Sequence, residues 1–442
     1  MKQSVIALMA SWCAAWAGVA NATDAERPAA FSRSAADFVR EEIRIGINIG
    51  NTLDTPSGKE TEWGNFPVTP ELVRLYRAKG FDAVRIPVTW LSHFDIADPK
   101  HRIDPAFLAR VREVADMVLA EGMVAVVNVH HDGGYHRWNG WWLSVDGRNE
   151  SRNEGILRDL WTQIAEKFRD VGERLVFEGF NEVSKARDYA GPDGSQGGRE
   201  DWMGRPEYCA ALNRYASAFR EAVRATGGNN ARRYLMIPTY AAGFSETACA
   251  GWRSPDASDD HIIATVHCYE PGDFCLGGTK TDYDRRLVKA KLDEYLPRFR
   301  RHFTEKGIPL ILGEVNAVCG YRDVAKTLNN DRDRIQWAAH YVSEARRFGF
   351  PVFVWENGGV PFTDLGLVDR KRVAWSHEAL ADAFVLSAKG EPTPEKIEAL
   401  CRRAHGWVQR DIYAESKGFS RRGRKGRRAH AAQSTCLRSL TR

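Results

Sequence analysis

Two glutamates follow apolar segments of the chain that offer no obvious place for a charge. The segment LVFEGFNEV (175–183) reads as a buried strand and then ends on Asn181 and Glu182, and PLILGEV (309–315) carries Glu314 near its end. Burying an unpaired polar group costs on the order of several kcal/mol, so we expect both carboxylates to line a wet pocket. Two facing carboxylates can cleave a glycosidic bond, because one protonates the leaving oxygen while the other attacks the anomeric carbon. A separation of about 5–5.5 Å predicts retention of configuration.

Most other apolar segments also end on groups that can ionise, donate a hydrogen bond or stack. If Arg85 reaches Glu314, its charge keeps that carboxylate ionised, and Asn181 is placed to bind a sugar 2-hydroxyl. His267 and Tyr269 are two residues apart and therefore share a strand face. The remaining members of this set are Asn51, Asp54, His130, His131, Tyr240, Trp355 and Asn357.

The apolar segments alternate with helical patterns along the chain. Thr69-Pro70 starts one predicted helix that stops at Gly80, and Asp104-Pro105 starts another that stops at Gly122. Near-continuously apolar strands separated by helices predict parallel strands covered on both faces. The eight predicted strands favour an α/β fold, a (β/α)8 TIM barrel forming a single catalytic domain, with its site at the C-terminal ends of the strands. These strands lie in 43–50, 82–88, 124–130, 175–182, 234–240, 262–269, 309–315 and 352–357.

The two ends of the chain differ from its body. Residues 1–22 resemble a secretory signal, with Lys2, an apolar run and a small-residue cleavage site ending at Ala22. We therefore expect a secreted protein, periplasmic or extracellular. The predicted catalytic domain spans 23–388. A linker and short helix follow in 389–415, and a basic disordered tail in 416–442.

Charge is concentrated in that tail. Removing its nine cations and Lys2 from the net charge of +5 leaves −5 for residues 23–415. Two interpretations of the basic tail stay open: it contacts polyanions, or it is an incidental extension without function. We expect no nucleic-acid or membrane partner, and we expect a monomer. Of the eight cysteines, seven remain after signal removal. Cys268 and Cys275 are close enough in sequence to bridge, although spacing alone does not fix a pairing.

Tryptophans cluster in segments predicted to lie on the catalytic face. Trp63, Trp142 and Trp355 are candidates for stacking against sugar rings, as are Trp138 and Trp141 in the run YHRWNGWWL. Packing is as common a use for any one indole, but the cluster favours a glycan ligand.

Taken together, these residues resemble glycoside hydrolase family 5, over roughly residues 40–380. The resemblance rests on Arg85 in RIP, His130 in HH, the Asn181-Glu182 pair, the HxY of His267 and Tyr269, Glu314 after glycine, and Trp355. The motifs GNTLD, ETEWGN, FDAVRIPVTW, NVHHDG and WENGG are similar to its bacterial endo-β-1,4-glucanase and xyloglucanase branch.

The resemblance implies a retaining endo-β-1,4-glucanase that needs no cofactor and acts on a β-linked polysaccharide. It makes Glu182 the acid/base, Glu314 the nucleophile and the other six residues their support. Two positions depart from the pattern, because Val183 replaces the usual proline and Glu356 the usual aspartate.

Three alternatives stay open from the sequence. The same chemistry is possible on xyloglucan, mannan or xylan, since loops set that choice. A carbohydrate-binding barrel without catalysis is a second, although the complete set of strand-end groups argues against it. A metal-dependent hydrolase that uses His130, His131, Asp132 and His267 is the third, and it predicts loss of activity in chelator.

Overall fold

Eight parallel strands close into a barrel. The computed structural model describes residues 31–133, 142–145, 149–185, 203–276, 282–318, 324–358 and 365–415, with side chains for all of these except 324–330 and 405–415. Each strand pairs with its neighbour in sequence, and the last pairs with the first. The strands are β1 (Ile45–Asn48), β2 (Ala83–Ile86), β3 (Val124–Asn128), β4 (Leu175–Glu178), β5 (Leu235–Pro238), β6 (Ile262–His267), β7 (Leu310–Val315) and β8 (Val352–Val354). The predicted (β/α)8 barrel is confirmed.

Helices follow the strands and cover the barrel. They are α1 (Ala35–Glu42), α2 (Pro70–Lys79), α3 (Pro105–Ala120), α4 (Glu150–Lys167), α5 (Pro206–Ala225), α6 (Glu246–Gly251), α7 (Gly272–Cys275), α8 (Arg285–His302), α9 (Val324–Arg347), α10 (Glu378–Ala388) and α11 (Pro394–Glu415). The predicted starts are confirmed, because Thr69 caps α2 and Asp104 caps α3, each just before a proline. Helix α2 ends at Gly80, whose φ of 110° suits glycine.

The barrel interior changes from apolar to polar along the strands. Val124, Val126 and Val176 belong to the apolar lower interior. Side chains alternate between the two faces of a strand, so the next inward positions on β3 and β4 are Asn128 and Glu178, which are fully buried. The interior is therefore closed by hydrocarbon at the N-terminal ends of the strands and presents hydrogen-bonding groups toward the C-terminal ends.

Helix α1 covers the N-terminal end of the barrel. Its Phe38 ring stacks on Tyr234 with centroids 4.0 Å apart, and Phe31 lies in the same buried cluster. Inside, a β-carbon on Gly46 would lie 2.3 Å from the Phe353 ring, so glycine makes room for that ring. With this end filled, the opposite end is left for the site.

The segment after the barrel differs from its prediction. Helix α11 begins at Pro394, inside the stretch 389–396 expected to be a linker, and runs for 22 residues. Leu400 and Cys401 on this helix are buried in the main hydrophobic core. The apolar positions of α11 therefore make it part of the folded body.

Two further features concern the described residues as a group. Five described cysteines are buried free thiols, Cys268 and Cys275 among them. None of the helices in the described ranges is long and apolar enough to cross a membrane. The predicted signal peptide and basic tail lie outside the described residues.

Candidate active site

The Arg85 guanidinium joins four strands at the polar end of the barrel interior. Its Nη1 donates to Glu314 Oε1 at 2.7 Å and to Asn48 Oδ1 at 2.9 Å. Its Nη2 donates to Asn181 Oδ1 and its Nε to Glu178 Oε2, both at 2.7 Å. Arg85 is fully buried, and such charge-assisted bonds are short and strong. The arginine therefore fixes Glu314 and orients the Asn181 amide at once.

The loop that carries Glu182 is anchored beyond the end of β4. Strand β4 stops at Glu178, and Val183 accepts a hydrogen bond from the Ala241 N–H at 3.0 Å. The Lys185 N–H donates to the Tyr240 hydroxyl at 3.0 Å. Residues after β5 thus hold the loop, and this is where the structure places Tyr240, a predicted strand-end group.

Glu182 and Glu314 face each other across His267. The His267 Nδ1 lies 2.7 Å from Glu182 Oε1 and 3.6 Å from Glu314 Oε2. One oxygen of each glutamate and this ring nitrogen all lie within 4.8 Å of one another. That spacing matches the close carboxylate pair of double displacement and is too short for an intervening water attack.

The two carboxylates have different surroundings. Glu314 is 5 % exposed and accepts hydrogen bonds from Arg85 and, at 2.9 Å, from the Tyr269 hydroxyl. Burial raises its pKa, while His267, Arg85 and Tyr269 oppose that rise. Burial raises the pKa of Glu182 to about 7, and only Arg85 opposes it. Glu314 is thus the carboxylate better stabilised as an anion, and Glu182 the one that retains a proton near neutral pH.

Both histidines beside the pair are neutral. Burial lowers the pKa of His267 to about 4 and that of His130 well below its usual range. The Asn128 amide nitrogen lies 3.1 Å from His130 Nδ1, so that nitrogen accepts and Nε2 carries the hydrogen. Neutral imidazoles add no charge that would favour ionisation of Glu182.

Comparison with known proteins identifies the family. Residues 48–361 match the family described as Cellulase (glycosyl hydrolase family 5). The chain belongs to glycoside hydrolase family 5. It is 36 % identical over 368 residues to the cellulase/esterase CelE of Acetivibrio thermocellus, a match that covers 81 % of this chain and 41 % of that protein.

Solved structures agree with this assignment to the glycoside hydrolases. A GH5-4 broad specificity endoglucanase from Clostridium acetobutylicum has a TM-score of 0.70 and 31 % identity, over 80 % of this chain and 99 % of that one. XEG5A, a xyloglucan-specific endo-β-1,4-glucanase from a metagenomic library solved with cellotriose, has a TM-score of 0.69 and 32 % identity, over 79 % and 98 %.

The two departures from the family pattern have structural explanations. Val183 is fully buried in the main core, where its side chain replaces the usual proline. Glu356 is also fully buried, pairs with Arg370 at 2.6 Å and accepts a hydrogen bond from Tyr76. The longer acidic side chain of this family 5 enzyme thus links β8 to α2 and to the segment after β8.

The predicted aromatic subsites divide into two groups. Trp355 stacks nearly parallel to His130, with ring centroids 5.7 Å apart, and Trp63 packs edge-on against His131 at 5.9 Å. Trp63 is half-buried, so part of its indole faces solvent. Both remain candidates for sugar contact, whereas Trp138 and Trp141 lie outside the described residues.

Trp142, a predicted substrate contact, packs in the core. Its side chain is only 4 % exposed, belongs to the main core and packs edge-on against Phe94. Its Nε1 donates to Asp132 Oδ1 at 3.0 Å. The buried Asp132 carboxylate needs donors, and Trp142 supplies one, so this indole has a structural partner.

The metal alternative does not assemble as predicted. Asp132 also accepts from the Trp90 N–H at 2.8 Å, so both of its oxygens are hydrogen-bonded. Among the described residues, Asp54 instead lies near His130 and His131, with one donor atom of each within 4.8 Å of the others. Both oxygens of Asp54 accept the N–H groups of Asn51 and Thr52, so the carboxylate shapes this loop.

Asn51 lies at the edge of the same loop. It has a positive φ of 59° and is 7 % exposed. The Asn65 amide donates to the carbonyl oxygens of both Asn51 and Asn357, at 2.9 Å each. This bridge joins the loops after β1 and β8 and places Asn51 near Trp355.

Sequence reasoning missed two residues that support the site. Asn48 ties Arg85 to β7 through a hydrogen bond to the Gly313 carbonyl at 3.1 Å, and Asn128 donates to Glu178 at 2.8 Å. A signal was present, because an asparagine at an inward position of a buried strand requires polar partners. Glu178 itself is fully buried and pairs with Arg85 at 2.7 Å.

Proposed function

We propose that this glycoside hydrolase is a retaining endo-β-1,4-glucanase that uses Glu314 as nucleophile and Glu182 as acid/base. The observation that carries the proposal is the close approach of two carboxylates with unequal surroundings, within 4.8 Å of each other through one oxygen each. The asymmetry of their hydrogen bonds favours a fixed anion at position 314 and a proton at position 182.

In the first step, Glu314 attacks the anomeric carbon while the bond to the leaving oxygen breaks. Glu182 gives its proton to that oxygen, so the aglycone leaves as a neutral alcohol and a covalent glycosyl ester remains on Glu314. In the second step, Glu182, now an anion, removes a proton from water as the water attacks the same carbon. The ester breaks, Glu314 leaves as a carboxylate, and the two inversions retain configuration.

Neighbouring residues support each step in this mechanism. Arg85 and Tyr269 hold both oxygens of Glu314 and stabilise the carboxylate that the second step releases. Asn181 has its oxygen fixed by Arg85, which directs its amide nitrogen for donation to a sugar 2-hydroxyl. The His267 ring lies between the two acids and is placed to steer the proton of Glu182.

A β-1,4-linked glucan is the proposed substrate class. The compared structures are named as a broad specificity endoglucanase and a xyloglucan-specific endo-β-1,4-glucanase with bound cellotriose. Both names concern glucan backbones, so a bare or decorated glucan is favoured over mannan and xylan. A panel of soluble β-glucan, xyloglucan, mannan and xylan, with product sizes followed over time, tests this. Early products of intermediate length support internal cleavage, and release of only single sugars would contradict it.

Covalent trapping tests the assignment of the nucleophile. A 2-deoxy-2-fluoro-cellobioside with a good leaving group should add one glycosyl unit to the protein, and peptide mapping should place it on Glu314. The Glu314→Gln variant should neither label nor turn over, while Glu182→Gln should still label. Label on another residue, or labelled Glu314→Gln protein, would refute the assignment.

We also propose that the protein is secreted and monomeric. The apolar run in residues 1–22 and its small-residue cleavage site support export. Sequencing the N-terminus of protein recovered outside the cytoplasm should find a start near Thr23. Light scattering at several concentrations should give the mass of one chain.

A further inference from the structure

Glu178 is a buried carboxylate that the two-step mechanism does not use. It lies at the end of β4 with no exposed surface, and its Oε2 accepts from Arg85 Nε at 2.7 Å and from the Asn128 amide at 2.8 Å. Its other oxygen, Oε1, is buried and has no hydrogen-bond partner among the residues that the structure describes. Because a carboxylate without its full set of donors is costly to bury, its presence at this position points to a use of its charge.

Arg85 is shared between Glu178 and Glu314. The two glutamates occupy different nitrogens of one guanidinium, each at 2.7 Å. These two contacts place the contacting oxygens within about 8 Å of each other, given the size of the guanidinium. An arginine paired with Glu314 alone would bind that carboxylate more strongly and would make it a weaker base and nucleophile.

We propose that Glu178 is a positioning residue that holds Arg85 by its Nε edge and, by sharing its charge, sets the pH range in which Glu314 is ionised and nucleophilic. This inference rests on the proposed function and deepens it. It assigns no contact between Glu178 and substrate, because the side chain is enclosed below the site.

The charged and titratable groups around Glu178 are consistent with this role. Arg85 faces it from β2, Asn128 and the neutral His130 from β3, and His267 from β6. Arg85 is the one cation among these neighbours, because burial keeps His130 and His267 neutral. Glu314 and Glu182 supply the remaining carboxylates. Without Glu178, the positive charge of Arg85 would therefore act on Glu314 and Glu182 alone.

The test is the pH dependence of kcat/KM for an aryl β-cellobioside in wild type and Glu178→Gln. Glutamine keeps an acceptor for Arg85 Nε but removes the charge, so the acid limb should move to lower pH by about one unit. The alkaline limb should move in the same direction by less, and kcat at the optimum should fall about tenfold. An acid limb at its wild-type position would overturn the proposal.

Glu356→Gln is the matched control. Glu356 is equally buried and also paired with an arginine, Arg370, but its partners lie outside the Arg85 network. Both limbs should keep their wild-type positions in this variant even if its unfolding temperature falls. A shift as large as that of Glu178→Gln would mean that any buried glutamate has this effect, and would also overturn the proposal.

A double variant covers the case in which Glu178→Gln does not fold. Adding Asn128→Asp moves the negative charge across the same hydrogen bond and restores the net charge. Its acid limb should return to within about 0.3 units of wild type, and an acid-shifted limb in the folded double variant counts against the proposal.

Turnover by wild type is measured first, because its absence refutes the proposed function, whereas unchanged limbs refute only the role of Glu178. A ¹³C NMR titration of the Glu314 carboxyl follows the same shift without turnover.

Discussion

If Glu182 is the acid/base, as proposed, its proton determines which substrates the enzyme can cleave and at what pH. Burial raises the pKa of this side chain to about 7, so about 90 % of the molecules hold the proton at pH 6 and about 10 % at pH 8. The kcat/KM for cello-oligosaccharides, whose leaving alcohol needs that proton, should fall nearly tenfold over this interval.

Replacing Glu182 by glutamine removes the proton donor and leaves the nucleophile. The kcat/KM for cello-oligosaccharides should fall by about 10²–10⁴, whereas formation of the covalent intermediate from 2,4-dinitrophenyl β-cellobioside should change less than about tenfold. That leaving group departs as an anion without protonation. The alkaline limb near pH 7 should vanish for this activated substrate.

The same variant should accumulate the covalent intermediate. Water needs a base in the second step, so the activated substrate should give a burst of phenolate followed by slow turnover. Azide, an anion that needs no base, should restore turnover and yield a β-glycosyl azide. Stopped-flow absorbance measures the burst, and NMR identifies the product.

Exposed Glu62 provides the control for this experiment. It lies in the loop after β1 and accepts from the Ser57 N–H at 2.9 Å. Glu62→Gln should leave both classes of substrate unaffected. If Glu182→Gln loses activity equally on both classes, or keeps an alkaline limb near pH 7, the assignment of the acid/base is wrong.

Three further predictions follow from the site. Trp63→Ala should raise KM about tenfold at unchanged kcat through loss of stacking. Trp142→Phe should leave KM unchanged and lower the free energy of unfolding by about 1–3 kcal/mol, because buried Asp132 loses a donor; a raised KM for Trp142→Phe alone would instead indicate that this indole contacts substrate. Tyr269→Phe removes a hydrogen-bond donor that lies 2.9 Å from Glu314, so the pKa of that carboxyl should rise. The acid limb of kcat/KM should therefore move to higher pH by about one unit. An unmoved limb would exclude a role for Tyr269 in stabilising the Glu314 anion. Glu182→Gln should be as stable as wild type below pH 4.5 and more stable above pH 7, by about 2 kcal/mol in the free energy of unfolding once partial exposure of the side chain is allowed for. The raised pKa of Glu182 means that the unfolded chain ionises first as pH rises, which destabilises wild type but not the variant. Equal thermal melts at pH 8 would contradict this prediction.

The strand ends could be predicted from sequence because their polarity conflicts with apolar surroundings. Arg85, Glu182, His267 and Glu314 were all recognised in this way, and the structure brings them together around one guanidinium and one imidazole. The period-two alternation of a strand and the order of strands in a barrel carry that information.

Which residues contact each other was harder to predict than where each residue lies in the fold. The contact of Trp142 with Asp132 was not predicted, because its neighbours in sequence include other tryptophans, whereas its partner is a carboxylate ten residues away that is buried with it. Asn48 on β1 contacts Gly313 on β7, and Asn128 on β3 contacts its register partner Glu178 on β4. Such contacts depend on strand register, which one sequence does not encode in a readable form. The boundary before α11 was missed because the prolines and glycine of 389–396 resemble a linker.

The buried cysteine thiols can report local unfolding of the protein. Burial raises the pKa of Cys209 and Cys401 to about 11 and that of Cys249 to about 12, so these groups are neither ionised nor accessible while the fold is closed. An alkylating reagent added for short pulses should therefore modify each of them only in molecules that have opened around it. Mass spectrometry of the labelled peptides gives separate rates of local unfolding for α5 and α6, which carry Cys209 and Cys249, and for α11, which carries Cys401, without any engineered probe.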